Sequence, residues 1–206
     1  RVFTYEKSND VWSLIAQIDS PTFLTGPPDT TNEQHDEFGW GVAISSDGTT
    51  ITVGSPAYRH TDASFMCGRI NTYSFTGVEI GSALIGEDVY GTNSTHFQMG
   101  RSLAIDADGD TIIPGFGRYC DSNDAIGEIK VFRYSGGSWS QLGNTISLSE
   151  SGVQCIGYSV SISDNGNTVA ISAKGHTGYG ESGWVEVYDL SGSTWVLRGS
   201  RISGIQ

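Results

Sequence analysis

Apolar and polar residues alternate in short runs along this chain, and glycine-rich turns separate the runs. Three of these runs open with the same phrase, an apolar residue followed by glycine, at Phe38-Gly39, Met99-Gly100 and Ile156-Gly157. Nine residues after each of these glycines the pattern reaches a second glycine, at Gly48, Gly109 and Gly166. The three copies start 61 and 57 positions apart. A repeat of this length made of short strands is typical of propellers and solenoids.

Each copy predicts a β-hairpin at its start. Two apolar runs flank an Asp-Gly or Asn-Gly pair, and glycine accepts the positive φ that a tight turn between strands requires. We name the strand before the turn A and the strand after it B. Strand B is predicted at 50–54, 111–115 and 168–172.

Two further strands follow in each copy. In strand C, successive residues alternate between two faces with a period of two. The strand opens with glycine and is predicted at 68–73, 127–132 and 183–188. Strand D begins with Trp139 or Trp195 in the later copies and with Val78 in the first. In the first copy the four strands are expected near 41–46, 50–54, 69–75 and 78–84.

The pattern therefore predicts a single all-β domain, a β-propeller of four-stranded antiparallel blades with strand A innermost. Residues 1–17 match strands C and D and form a half blade, and whole blades follow at 38–85, 99–143 and 156–199. Propellers have at least about four blades. The remainder of a longer parent chain, or a second copy of this chain, is therefore expected to close the ring.

The strand order places the B–C and D–A connections on one face of the disc, which we call the loop face. The A–B and C–D turns lie on the opposite turn face. Because binding residues concentrate on loops held by a rigid scaffold, we expect a ligand-binding site on the loop face. The candidates are Arg59, His60, Arg118, Tyr119 and His176, with Trp40 and Tyr158 near the axis.

Catalysis on the loop face would require convergence of an imidazole and a carboxylate, such as His35, His60 and Asp62. Neighbouring charges in a solvated loop explain these residues better, so no catalytic residue is assigned.

Composition and cysteine content restrict partner and compartment. Lys and Arg number 11 against 23 Asp and Glu, a net charge of −12. This argues against nucleic-acid or anionic-membrane partners, which need a basic surface. No apolar run approaches the ~20 residues of a membrane span. The Asn93 sequon and a Cys120–Cys155 disulfide, one of three pairings that the cysteines allow, point to an extracellular or cell-surface setting.

The repeats resemble FG-GAP repeats, the units of integrin α-subunit-like β-propellers. Phe38-Gly39 matches the first half of that name, and Gly54-Ser55-Pro56 matches the second half with Ser in place of Ala. The later copies carry Gly115-Phe116-Gly117 and Ser172-Ala173-Lys174 at the second position. The resemblance implies a ring of seven blades, and roles in adhesion, in lectin-like binding or as accessory domains of enzymes.

The same resemblance implies a calcium loop between strands A and B, of the form Asp-x-Asp-x-Asp-Gly. Only the second copy approaches it, with Asp106, Asp108 and Asp110. Calcium needs six to eight oxygen ligands, so a polar hairpin tip is the alternative interpretation. No other cofactor is expected.

The sequence thus favours an extracellular, non-enzymatic interaction or structural module that binds a protein or glycan ligand through its loop face. One alternative is a lectin-like propeller that uses the loop around Tyr119, Asp121 and Asn123. Another is an accessory domain of an extracellular enzyme.

Overall fold

The protein is described by a computed structural model that covers residues 1–21, 36–59, 66–86, 98–116, 128–147, 156–174 and 182–205. Within these ranges every bounded element is a β-strand. The strands are β1 (Val2–Ser8), β2 (Val11–Ile18), β3 (Val42–Ile44), β4 (Thr50–Ser55), β5 (Arg69–Ser74), β6 (Leu84–Ile85), β7 (Leu103–Ile105), β8 (Thr111–Pro114), β9 (Glu128–Ser135), β10 (Ser138–Ser147), β11 (Ile156–Ile162), β12 (Thr168–Ala173), β13 (Trp184–Ser191), β14 (Thr194–Leu197) and β15 (Ile202–Ser203).

The strands form antiparallel sheets in sequence order. Strands β1 and β2 form the terminal hairpin. Sheet I runs β3-β4-β5-β6, and sheet II runs β7-β8-β9-β10. In sheet III the order is β11-β12-β13, and both β14 and β15 pair with β13. The predicted all-β, propeller-like architecture of four-stranded antiparallel sheets is confirmed, whereas the number of blades in a complete ring stays a prediction.

Strands A, B and C of the first repeat lie close to their predicted positions, but strand D does not. The predicted strand over 78–84 is reduced to a bridge between Tyr73 and Glu79 and to the two residues of β6. Gly81 interrupts it with φ +68°. A Cβ at Gly81 would come 2.8 Å from the Tyr134 ring of sheet II, so the bend is held by packing against the next sheet.

Successive sheets meet at glycines that recur in every repeat. The inner strands β3, β7 and β11 contact one another. Gly100 of sheet II packs on Gly54 of sheet I, where a Cβ on Gly54 would lie 1.9 Å from the Gly100 carbonyl oxygen. Gly157 packs on Gly115 in the same way, and the Phe116 amide donates to the Gly157 carbonyl over 3.0 Å. Only glycine allows the backbones to approach this closely.

A second contact between sheets lies on the turn face. A Cβ at Gly109 of sheet II would come 2.6 Å from the Thr50 side chain of sheet I. At the next junction, a Cβ at Gly166 would come 2.9 Å from Oγ1 of Thr111. The A–B turns of sheets II and III therefore rest on the threonine that begins strand B of the preceding sheet.

The two ends of the stack lack such neighbours within the described chain. Ile129 and Val131 on the C strand of sheet II are fully buried by sheet III, whereas the equivalent Val185 and Val187 are only partly buried. At the other end, apolar side chains of the terminal hairpin and of β3 are exposed: Phe3, Tyr5, Trp12, Leu14, Val42 and Ile44. The apolar side chains at the two ends resemble those between successive sheets, except that no described sheet covers them.

Candidate functional site

The residue that directly follows the repeat glycine lies at or just before the start of each inner strand, at its loop-face end. Trp40, Arg101 and Tyr158 occupy this position in sheets I, II and III. Because β7 contacts both β3 and β11, these three positions follow one another at the same end of neighbouring strands, and we call them the axial row.

The axial row pairs aromatic rings with cations. The Arg101 guanidinium carbon lies 4.5 Å from the centroid of the Trp40 ring, and Lys174 Nζ lies 5.5 Å from that of Tyr158. Both rings remain accessible, with 53% of Trp40 and 48% of Tyr158 exposed. Cation–π pairs at exposed sites contribute about 0.5–1 kcal/mol, so a ligand that stacks on the rings or pairs with the cations can displace them.

The structure thus places two of the predicted site residues, Trp40 and Tyr158, in one row, and adds Arg101 and Lys174. Arg59 is half-buried at the end of a described segment. The other predicted positions lie outside the described residues: His60, Arg118, Tyr119, His176, Asn93, Cys120 and Cys155, together with His35, Asp62, Asp121 and Asn123. The disulfide, glycan and loop predictions on these residues therefore stay predictions.

Beneath the loop face lies a buried ion pair that the sequence analysis missed. Arg69 Nη2 and Asp36 Oδ2 are 3.1 Å apart, and both side chains are largely buried. The Tyr58 ring covers the guanidinium at 4.3 Å, and the Ser20 hydroxyl donates to Asp36. Asp36 also accepts the Phe38 amide over 3.1 Å. The pair therefore fixes the start of the first repeat to strand C of the same sheet.

A related pair lies in sheet III. Arg201 Nε is 2.8 Å from Glu186 Oε1, and Glu186 is buried. The Tyr188 hydroxyl donates to the other carboxylate oxygen over 2.6 Å. Desolvation and the hydrogen bond to Glu186 raise the pKa of Tyr188. In sheet I, burial raises the pKa of the equivalent Tyr73 to about 12. Both tyrosines are structural phenols that remain protonated at neutral pH.

The A–B turns, on the turn face, use a side chain at the end of strand A to hold backbone amides. Ser45 Oγ accepts the Thr50 amide and Ser163 Oγ accepts the Thr168 amide, each over 3.0 Å. Asp106 takes this position in sheet II, and its Oδ1 accepts the amides of Asp110 and Thr111 over 3.1 and 3.0 Å.

Two of the three predicted calcium ligands, Asp106 and Asp110, have other partners, and Asp108 is exposed. Asp106 is buried, and desolvation raises the pKa of its carboxyl. Asp110 accepts the Thr111 hydroxyl over 2.7 Å and lies 3.7 Å from Arg133 Nε. Across the described ranges, no group of three or more His, Cys, Asp or Glu residues could hold a metal ion. The polar hairpin tip is the interpretation that these contacts favour.

Two further observations bear on the sequence predictions. Cys67 carries a buried thiol that donates to the Tyr58 carbonyl over 3.5 Å. Among the described residues, no helix is long and apolar enough to cross a membrane.

Comparison with known proteins supports the fold alone. No protein-family model and no curated protein matches the chain, so the FG-GAP similarity stays a resemblance. A thermostable family-43 glycoside hydrolase matches with a TM-score of 0.52 and 16% identity, over 82% of this chain and 59% of that one. At this identity the match shows a shared fold and no activity.

Two other solved structures match less closely. Sqt1 from Chaetomium thermophilum has a TM-score of 0.46 and 14% identity, over 82% of this chain and 36% of that one. A structure from a study of two prolyl endopeptidases has a TM-score of 0.44 and 14% identity, over 79% of this chain and 20% of that one. In all three comparisons this chain spans less than two thirds of its match.

Proposed function

We propose that the chain is a non-enzymatic binding module on a propeller scaffold, and that it engages a protein or glycan ligand through the loop face. The axial row carries this proposal. Trp40 and Tyr158 present exposed rings, and Arg101 and Lys174 lie beside them. Aromatic and arginine side chains dominate binding energy at protein interfaces.

The lectin-like alternative has one observation in its favour. A sugar ring can stack on an aromatic face, and Trp40 and Tyr158 offer two such faces in one row. Binding of free glycans and of no protein ligand would narrow the proposal to this lectin-like form.

A binding screen against glycans and extracellular proteins tests the proposal. The variant Trp40→Ala/Tyr158→Ala should lose binding by tenfold or more, since each hot-spot aromatic is worth about 2 kcal/mol or more. Trp12→Ala is the matched control, because it removes an exposed ring near the turn face. Ligand binding that survives the double substitution and is lost in Trp12→Ala would contradict the proposal.

We also propose that the chain belongs to a longer FG-GAP-like propeller with seven blades. Partly buried Val185 and Val187 at one end and exposed β3 at the other support further sheets on both sides. In a dimer, each copy would contribute one incomplete blade made of a C–D hairpin. Neither copy would have an unused A–B hairpin to complete the blade of the other. This count favours a longer chain over a dimer, and the mass of the native polypeptide tests it.

An extracellular setting completes the proposal. The Asn93 sequon supports it, the predicted Cys120–Cys155 pairing agrees with it, and both can be checked on protein secreted from eukaryotic cells. Peptide mass spectrometry should find a glycan at Asn93 and a peptide linked through Cys120 and Cys155. An unmodified asparagine together with three free thiols would contradict this assignment.

A further inference from the structure

We propose that the axial row binds an acidic saccharide, a sugar that carries a carboxylate. Arg101 and Lys174 pair with the carboxylate, and the rings of Trp40 and Tyr158 contact the sugar. The inference rests on the binding function proposed for the loop face and names the class of ligand that this site takes.

Arginine side chains that lie over an aromatic ring in this chain also bind a carboxylate. The guanidinium carbon of Arg69 lies 4.3 Å from the centroid of the Tyr58 ring, and its Nη2 lies 3.1 Å from Asp36 Oδ2. A ring covers one face of the planar guanidinium, whereas a carboxylate accepts from the N–H groups at its edge. The two partners therefore bind the same cation without competition.

Sheet III contains the same combination. The guanidinium carbon of Arg201 lies 4.2 Å from the centroid of the Trp184 ring, and its Nε lies 2.8 Å from Glu186 Oε1. A ring, a guanidinium and a carboxylate thus come together twice, in two different sheets.

Arg101 has the ring without the carboxylate. Its guanidinium carbon lies 4.5 Å from the centroid of the Trp40 ring, and Lys174 Nζ lies 5.5 Å from that of Tyr158. Within the described ranges neither cation forms an ion pair, although the chain has 23 acidic and 11 basic side chains. A ligand carboxylate at Arg101 completes the combination that the chain builds internally at Arg69 and Arg201.

Backbone contacts place an aromatic position on each side of Arg101. Gly41 directly follows Trp40, and a Cβ there would lie 3.2 Å from the Arg101 carbonyl oxygen. Ser102 Oγ donates over 2.9 Å to the carbonyl of Gly157, which directly precedes Tyr158. A sugar whose carboxylate pairs with Arg101 therefore has an exposed ring on the preceding strand and another on the following strand.

The charge of the chain favours a saccharide over an acidic protein surface. The net charge is −12, and like charges that face one another across a wide interface disfavour binding. Charges more than about 8 Å apart are largely screened at physiological ionic strength. A small ligand with its carboxylate at Arg101 therefore avoids most of the repulsion that a large acidic partner would meet.

The test compares acidic saccharides with matched neutral ones. Trigalacturonate is paired with its full methyl ester, and sialyllactose is paired with lactose, so that each pair differs in the carboxylate. Affinities are measured by titration calorimetry, and the indole N–H signal of Trp40 is followed by NMR. At least one acidic form should bind about fivefold or more tightly than its neutral counterpart, because charge-assisted hydrogen bonds are the stronger ones. The Trp40 signal should shift during the same titration.

Two variants with equal net charge locate the preference. Arg101→Gln/Lys174→Gln removes the cations of the site and should abolish the preference for the acidic form. The matched control is Lys7→Gln/Arg198→Gln, which removes two cations from exposed ion pairs with Asp10 and Asp189. The control should keep the preference, since these pairs lie toward the turn face.

Equal affinity of the parent protein for acidic and neutral forms, or no saccharide binding at all, overturns the inference. So does a preference that survives in Arg101→Gln/Lys174→Gln or disappears in the control. Binding confined to acidic peptides also overturns it, in favour of a protein ligand. All of these results leave the proposed binding function intact, which fails instead if Trp40→Ala/Tyr158→Ala retains every ligand that the parent binds.

Discussion

The indole Nε1 of Trp195 donates a hydrogen bond over 2.8 Å to the carbonyl oxygen of Leu142, across the junction of sheets II and III. The Trp195 amide also donates to Asn144 Oδ1 over 2.6 Å. The equivalent residue in the terminal hairpin, Trp12, has no preceding sheet among the described residues and is 64% exposed, against 4% for Trp195. The outer tryptophan therefore joins sheets wherever a preceding sheet exists.

We expect Trp195→Ala to reduce the free energy of unfolding by about 3–5 kcal/mol, because it removes a buried aromatic and leaves a cavity between sheets. Trp12→Ala should change it by less than about 0.5 kcal/mol, as is usual for exposed positions. Urea unfolding of both variants measures the difference. Equal losses at the two positions would show that the sheets do not meet at Trp195.

Alanine substitutions at the turn glycines Gly48 and Gly109 distinguish the cost of backbone strain from the cost of packing between sheets. Both have positive φ, so alanine at either should cost about 1–2 kcal/mol. Only at Gly109 would the new methyl also meet Thr50, at 2.6 Å, and overpacking of this kind adds about 1–3 kcal/mol. Chemical denaturation should therefore give a lower free energy of unfolding for Gly109→Ala than for Gly48→Ala. The reverse order would refute the contact on the turn face.

Asp106 predicts a pH dependence with a definite sign. Burial raises the pKa of its carboxyl in the folded state above the ordinary 3.8. The folded state therefore binds the proton more tightly than the unfolded chain, and this group's contribution to stability falls as pH rises from 3.8 through the raised value.

The variant Asp106→Asn keeps an oxygen for the amides of Asp110 and Thr111 and removes the buried charge. We expect the difference in free energy of unfolding, variant minus parent, to be more positive at pH 7 than at pH 3. Urea unfolding of both proteins at both pH values measures it. A relative stability that is lower at pH 7 would mean that the charged Asp106 favours folding, for example through Arg133.

The Tyr73 phenol predicts a change at alkaline pH. Its pKa of about 12 in the folded protein lies above the ordinary 10.0, with burial as the main cause and Glu79 as the next. Ionisation therefore favours unfolding, and stability should fall as pH rises above about 10. Tyr73→Phe should show a weaker decline in thermal denaturation over this range. An identical decline in both proteins would remove Tyr73 as the cause.

The sequence was sufficient to predict strands A, B and C, because glycine spacing and period-two alternation are local signals. Phe38-Gly39 and Asp47-Gly48 mark a strand and its turn without knowledge of the rest of the fold. Strand D of the first repeat was predicted as continuous over 78–84, whereas the structure interrupts its pairing with β5 after Ile80. The interruption was not predictable, since the bend at Gly81 depends on Tyr134 and Trp139 of the next sheet. Contacts between sheets leave no local signal in one repeat.

The candidate site was predicted only in part, because the sequence shows repeat positions and does not show contacts between distant residues. Trp40 and Tyr158 were found because they recur at one repeat position. Arg101 was not among the predicted site residues, although its guanidinium lies over Trp40. The Asp36–Arg69 pair joins residues 33 positions apart, and no sequence pattern relates them.

Stacking of successive sheets through their repeat glycines is the central claim of this account, and proton NMR tests it most directly. A Cβ at Gly100 would lie 2.9 Å from the Gly54 Cα, and one at Gly157 would lie 3.4 Å from the Gly115 Cα. The account predicts strong nuclear Overhauser effects between the Hα protons of Gly54 and Gly100, and between those of Gly115 and Gly157. Absence of both signals in the folded protein, with the strand pairing inside each sheet intact, would contradict the arrangement.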